Sequence, residues 1–401
     1  MDRMKNARLG IVFGVLNNLL NIVLPFISRT IILYTLGTEY LGLGTLFSSI
    51  INVLNVTELG FGAAVSILLY EPVAKGDNAR ICSVLNFTRK VFRVIGTVVL
   101  VAGLAVMPFL RNFISGDVPA GVNIYLLYVI YLANVVCSYF LAAHKRILFA
   151  AYQRYDVETK IASAVLIGQY LLQIALLLVL KNYYLYVLLI LVGTIFNNLL
   201  CAVLTRKMYP DCQCKGKIEK SDVSVLKKKV IGSFASRLGE TMHLSAENVV
   251  ISAVLGLQIL GQYTNYYFVI TSLVALFAVV HNTLRPIFGN CVALDTKEEN
   301  FRRFRVFQYG YLWLCVLCCA GLVCLYQDFI GVWAGAENLF PAWYVWLFAL
   351  YFLSSKLISP TTVLVEAAGL LWESKYISLL SATCNLGLNI VGAICLACRA
   401  C

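Results

Sequence analysis

Charge is scarce in this chain. Only 13% of its 401 residues are Asp, Glu, Lys or Arg, against 60% hydrophobic, and a soluble protein of this length has nowhere to hide so much apolar surface. Acidic residues are scarcer still, 20 against 32 Lys and Arg, for a net charge of +12. In a soluble protein that excess would point to nucleic acid. Here no nucleic-acid partner is expected, because the basic residues gather in connections between apolar runs. The short alternating segments of a transmembrane β-barrel are missing; the runs are about 20 residues of Ile, Leu, Val and Phe, long enough to cross a bilayer as helices. A cleavable leader is missing too: the first run follows MDRMKNAR with no small-residue cleavage site and reads as a retained span. Walker, GxGxxG and HExxH motifs are absent. Cys212-x-Cys214, in the central connection, and Cys315, Cys318 and Cys319, inside a span, bring too few ligands together for a metal. The fourteen cysteines read as small apolar residues. The loops are too short for an enzyme domain, so no catalytic residue, cofactor or metal is expected.

What is there is an all-α polytopic membrane protein. The apolar runs predict eleven helices, over 9–36, 41–70, 87–110, 122–143, 161–180, 183–204, 230–255, 261–292, 307–326, 342–365 and 376–397. Sorting the 32 cations by side puts Arg111, Lys181 and Arg399 on one face, four inside spans, and all others on the opposite face. Positive charge stays cytoplasmic, so the N-terminus is expected on the cytoplasmic side. Eleven helices leave Arg399-Ala400-Cys401 outside, and the second lobe is expected to lack at least one final helix.

The chain also carries an internal echo. Leu36-Gly37-Thr38-Glu39-Tyr40-Leu41-Gly42 and, 219 residues later, Leu255-Gly256-Leu257-Gln258-Ile259-Leu260-Gly261 each predict a tight turn between helices, glycine supplying the backbone reversal. Two six-helix lobes related by a parallel pseudo-repeat follow: residues 1–205, then a basic linker over 206–229, then 230–401. Within the linker, Ser221-Asp222 before Val223, Val225 and Leu226 predicts a short amphipathic interfacial helix, whose lysines would meet membrane lipids.

The candidate functional residues are the polar ones inside spans. Arg29, Arg237, Arg285 and Lys356 each cost at least about 2.5–3.5 kcal/mol at membrane depth, so a shared interior with four cations predicts a path for something anionic. Asn18, Asn21, Pro25, Ser28 and Arg29 step along one helix face at intervals of three and four, a polar stripe suited to a wet cavity or to helix–helix glue. Asn52, Asn55 and Glu58 step likewise. Arg237, Glu240, His243 and Glu247 fall within an arc of about 120°. Glu58, Glu240, His243 and Glu247 are the candidates for ion coupling, with structural pairing the competing reading. His281 and Arg285 share a face, and Lys356 lies near mid-span, followed by Pro360.

The segment from Arg29-Thr30 through Tyr34-Thr35-Leu36-Gly37-Thr38-Glu39-Tyr40-Leu41-Gly42-Leu43, together with Glu58-Leu59-Gly60-Phe61-Gly62, resembles the start of oligosaccharide flippases. These are the Wzx-type polysaccharide-biosynthesis members of the multidrug/oligosaccharidyl-lipid/polysaccharide exporter superfamily. The resemblance implies a V-shaped, two-lobed bundle with a central cationic cavity. It also implies flipping of an undecaprenyl-diphosphate-linked oligosaccharide to the outer leaflet by ion-coupled alternating access, with a polysaccharide polymerase and glycosyltransferases as partners. On that reading Arg29, Arg237, Arg285 and Lys356 hold the diphosphate, and Asn18 and Asn21 line the path. The rival readings are a lipid II flippase, a cation-coupled drug exporter of the same superfamily, which would favour an acidic cavity, and a non-transporting scaffold of polysaccharide assembly.

Overall fold

A computed structural model describes residues 3–55, 61–116, 118, 119, 121–141, 143–367 and 387; side chains are described outside 3–15, 63, 143, 228, 229, 231–244, 282, 283, 285–287, 290, 293, 294, 366 and 367. Every regular element among them is helical: α1 (Arg3–Thr35), α2 (Thr38–Leu54), α3 (Phe61–Lys75), α4 (Asn78–Val106), α5 (Ile124–Phe140), α6 (Ala143–Ala151), α7 (Tyr155–Leu180), α8 (Tyr183–Met208), α9 (Lys220–Leu294), α10 (Lys297–Ala334), α11 (Trp343–Leu357) and α12 (Ser359–Ala367), with 3-10 turns at Met107–Phe113 and Ala336–Asn338.

Seven of the described helices are long and apolar enough to cross a membrane, eight if the bent pair α5–α6 is one span. The sequence predicts eleven; with the bent pair counted for the predicted 122–143, three regions account for the remaining difference. The predicted helix 41–70 corresponds to α2 and α3, with 56–60 outside the described residues. The predicted pair 230–255 and 261–292 is continuous as α9, broken only where Gly256 leaves helical geometry at φ 88°, ψ 175°. The predicted helix 376–397 lies outside the described residues, Gly387 apart.

The turn at Gly256 has a counterpart in the α1–α2 turn, where Gly37 sits at φ 105°, ψ 169°. Both lie in a region of backbone space open essentially to glycine alone. The same 219-residue interval recurs at three further points. Gly116 and Gly335, which follow the α4 and α10 segments, both have positive φ, 78° and 92°. Asp77 caps α4 by accepting from the Arg80 N–H, and Thr296 caps α10 by accepting from the Glu299 N–H. The helices after the paired loops, α5 and α11, begin at Ile124 and Trp343. One register therefore holds, without insertion or deletion, from the first turn to the start of α5.

The described residues divide into two compact units, one running to Leu260, the other from Gly261 to the end of α12. In the first, α1 packs on α7, α7 on α8, α8 on α5 and α5 on α4. Within this unit Leu43, Leu46 and Phe47 of α2, Val84 and Leu85 of α4 and Tyr128 of α5 are buried. Outward faces keep Leu171, Leu172, Leu178 and Val179 on α7 exposed, as lipid-facing helices require. The connection 209–219 holds no helix, and α9 begins directly at Lys220, so the helix expected in the linker is the first part of the long α9 rather than a short separate element. Asp222 anchors its start. Its carboxylate, 3% exposed, accepts two bonds from the Arg80 guanidinium on α4, at 2.7 and 3.1 Å. That pair ties the first turn of α9 to α4.

The first unit also caps its own broken helix. The Ser252 carbonyl, four residues before Gly256, is one of the groups a helix end leaves without an intrahelical partner, and it accepts from the Ser115 N–H at 3.0 Å. A side chain at position 256 would meet the Ser115 carbonyl at 2.9 Å, so glycine there serves both the turn and the contact. The second unit packs α10 against α11 around Tyr266, Tyr326, Phe340 and Phe348. Gln327 ties this cluster to the turn after α10, donating to the Phe340 carbonyl at 2.7 Å and accepting from Tyr266 Oη at 3.1 Å.

Candidate functional site: an amide-lined chamber and an arginine beside tyrosines

Inside the first unit, α5, α6 and α8 enclose a cavity of about 240 Å³. Asn134 and Ser138 come from α5, Thr194, Asn197 and Asn198 from α8, Arg146 from α6, and Asn55 from the end of α2. The amide oxygens of Asn134, Asn197 and Asn198 are buried and accept no hydrogen bond among the described residues. Left without water or ligand, each would cost on the order of 1–3 kcal/mol. The cavity beside them is lined mainly by polar side chains and has room for several waters. Asn55 is fixed there by Tyr139, whose hydroxyl donates to its side-chain oxygen.

Arg146 is the one charged residue among the described residues lining the chamber, and it is matched: its Nη2 and Nε donate to Glu158 Oε1 at 2.8 and 3.0 Å. The sequence places Arg146 in a cytoplasmic loop. The structure places it on α6, a helix too short to show an apolar period, turned inward so that its charge reaches Glu158 at the start of α7. The amides of Asn134, Asn197 and Asn198 were the missed signal: three asparagines inside spans are as unusual as the four cations.

Of the predicted residues, Arg29 is half-buried near the C-terminal end of α1, with Tyr183 and Tyr186 of α8 as its electrostatic neighbours. The tyrosines are fixed in turn. Ser28 Oγ bonds Tyr186 Oη at 3.2 Å, Tyr183 Oη donates to the Tyr40 carbonyl at 3.1 Å, Tyr131 and Tyr183 hydroxyls meet at 3.3 Å, and the Tyr183 and Tyr186 rings stack. Arg29 is thus a half-buried guanidinium beside two fixed phenols, and a guanidinium can pair with an anion such as phosphate. Asn18 and Asn21 are exposed on α1, and Asn21 donates to the Asn17 carbonyl at 2.7 Å. Glu247 is half-buried on α9, and the adjacent Asn248 donates to Ser49 Oγ of α2 at 2.9 Å. In the second unit Lys356 is half-buried in the last turn of α11, with Cys315 of α10 its electrostatic neighbour. His281 is half-buried on α9. Glu58 lies outside the described residues. Arg237, Glu240 and His243, and also Arg285, lie on α9 with side chains outside the described ones. Among the described residues no group of three or more His, Cys, Asp or Glu could hold a metal ion.

The repeat register relates the two polar helices to each other. At 219 residues, Asn18 corresponds to Arg237, Asn21 to Glu240, Ser28 to Glu247 and Arg29 to Asn248. The polar stripe of α1 and that of α9 are thus the same stripe, neutral below and cationic at its end in one copy, charged below and neutral at its end in the other.

No family model and no curated protein matches the sequence. Its structure is similar to those of solved membrane transporters. An inward-facing multidrug resistance MATE family transporter of the MOP superfamily matches with TM-score 0.62 and 11% identity over 94% of this chain and 84% of that one. A mutant of the MATE transporter VcmN from Vibrio cholerae matches with TM-score 0.60 and 12% identity over 94% and 86%. A MOP superfamily transporter from Pyrococcus furiosus, described as having a binding pocket of reverse polarity, matches with TM-score 0.54 and 11% identity over 95% and 82%. At these identities the likeness is one of fold, and the chain has the all-helical fold of this transporter superfamily.

Proposed function

We propose that the protein is a membrane transporter that flips a polyprenyl-diphosphate-linked oligosaccharide from the cytoplasmic to the outer leaflet of a bacterial cell membrane. The observation that carries this reading is the chamber between α5, α6 and α8. Its lining is amide and hydroxyl, and its single charge, Arg146, is neutralised by Glu158 at 2.8 Å. Such a surface offers donors and acceptors in the mixture that sugar hydroxyls need and, among the described residues, no unmatched carboxylate to select a cation. Arg29, Arg237, Arg285 and Lys356 hold the diphosphate, Asn18 and Asn21 line the approach, and Glu58, Glu240, His243 and Glu247 carry the coupling ion. The lobes are 1–205 and 230–401 with the basic linker 206–229 on the cytoplasmic side, a division that the 219-residue register supports. A polysaccharide polymerase and glycosyltransferases are the partners this activity calls for.

The test is export in a bacterial strain lacking its own flippase. Wild type restores surface polysaccharide; Arg29→Ala, Arg237→Ala, Arg285→Ala and Lys356→Ala, at matched membrane levels, do not. Rescue by all four variants would remove the cations from the mechanism. The second reading is a cation-coupled drug exporter, favoured by the MATE transporters among the similar structures. It predicts reduced accumulation of a cationic dye in cells expressing the protein and no restored polysaccharide.

A further inference from the structure

A second cavity in the first unit, of about 590 Å³, opens where α4, α6 and α8 meet the connection 209–219. It is strongly cationic. Arg89 and Arg93, one turn apart on α4, face His144 and Lys145 at the start of α6, Arg206 at the end of α8 and Lys215 in the connection. Among the described residues no carboxylate lines it; Asp211 lies in the same connection but outside the lining. None of the five Lys and Arg side chains makes an ion pair among the described residues, although Arg80, Arg146 and Arg154 nearby all do. Cys212 and Cys214 also line the cavity, and burial pushes both thiols up, so they stay neutral and supply no counter-charge.

The cavity is built rather than incidental. Asn86 donates to the Gly216 carbonyl at 2.9 Å and accepts from Arg89 Nη2 at 3.0 Å, which fixes both the connection and the guanidinium. Arg89 Nε is buried and donates to no group among the described residues. The connection is pinned a second time at Cys82, which receives the Gln213 N–H at 3.2 Å and donates to the Asp211 carbonyl at 3.3 Å. Like charges gathered around one cavity repel one another, and an anion that joins them relieves the repulsion.

We propose that this cavity binds a phosphate-bearing anion, with Arg89 and Arg93 its principal contacts and Lys145, Arg206 and Lys215 around them. The group's source is either a lipid headgroup or a soluble phosphate compound; guanidinium pairs suit the tetrahedral, multiply charged phosphate better than a carboxylate. This site is separate from the chamber and from Arg29, and does not rest on the flippase reading.

Thermal unfolding of the full chain in nanodiscs tests it, with inorganic diphosphate as the soluble probe and phosphatidylglycerol against phosphatidylcholine as the lipid arm. In phosphatidylcholine, diphosphate raises the Tm of wild type and of the control Arg111→Gln, and Arg89→Gln/Arg93→Gln weakens that response about tenfold or more. Without probe, the double variant melts no lower than wild type, because repulsion is relieved. If phosphatidylglycerol alone raises the wild-type Tm and abolishes the diphosphate response, the source is a headgroup; a response undiminished by phosphatidylglycerol identifies a soluble compound. Should the double variant fail to fold, Arg206→Gln/Lys215→Gln, on exposed side chains, decides by the same comparison. No Tm response of wild type in either lipid, or an equal response in wild type and the cavity variants, overturns the proposal.

Discussion

At the scale of residues, close approach and buried charge set the energetics. Gly44 on α2 lies under the tyrosines that flank Arg29, and an added Cβ would stand 2.5 Å from Tyr183 Oη and 3.1 Å from Tyr131 Oη. Gly44→Ala therefore displaces Tyr183 from the Tyr40 carbonyl and destabilises the protein by about 1–3 kcal/mol. Adding Tyr183→Phe frees the space, so the double variant should cost less than the sum of the two singles, read by thermal unfolding of all three. Asp222 gives a different case. Its carboxylate is buried while Arg80 remains 27% exposed and lies 3.6 Å from the exposed Glu71. Asp222→Ala is expected to cost roughly 2 kcal/mol, below the figure for a fully buried pair because Arg80 can turn to water and Glu71. A loss equal to that of an exposed pair such as Lys75–Glu71, measured the same way, would contradict this. The sequence showed Asp222 as a candidate cap of a surface helix; nothing local reveals a partner 142 positions earlier.

At the scale of elements, the turns were legible and the helix interruptions less so. Glycines at 37 and 256 stood out because both sit in Leu-Gly frames between long apolar runs, where the backbone must reverse. The two differ in surroundings: a Cβ at 37 meets nothing within 4 Å, whereas one at 256 meets the Ser115 carbonyl. Both Gly37→Ala and Gly256→Ala should lower stability by about 1–3 kcal/mol from backbone strain, with Gly256→Ala the more costly. Asn should rescue neither, since the left-handed helical region that asparagine tolerates is not the one these glycines occupy. Equal melting temperatures for the two alanine variants would detach Ser115 from the account. The separate helix α6 was illegible for a physical reason: nine residues are too few to show a period, and His144, Lys145 and Arg146 within it look like any basic loop. The chamber and the basic cavity both depend on that helix, which is why both escaped the sequence.

At the scale of the whole molecule, the all-helical membrane class, the repeat and the uneven distribution of cations could be read from the sequence alone, because hydropathy and charge act over long windows. The limit between compact units, between Leu260 and Gly261, falls inside α9 at the end of the Leu-Gly frame that the sequence marks as a turn. The predicted sidedness has a direct check: a protease site inserted after Lys217 should be cut only in inside-out vesicles, and one inserted after Gly116 only in right-side-out ones. Cutting of both from the same face would end the assignment. The constant interval of 219 residues between paired turns, caps and helix starts carries a further meaning. Two stretches of chain that differ in nearly every side chain have kept identical length through a helical hairpin, a loop and the helix beyond. Each residue added within a helix would swing everything after it by about 100°, so side-chain identity has been free to drift while residue count has not. Length itself is the specification here, and single-residue deletions in α4 should be less tolerated than most substitutions at the same positions.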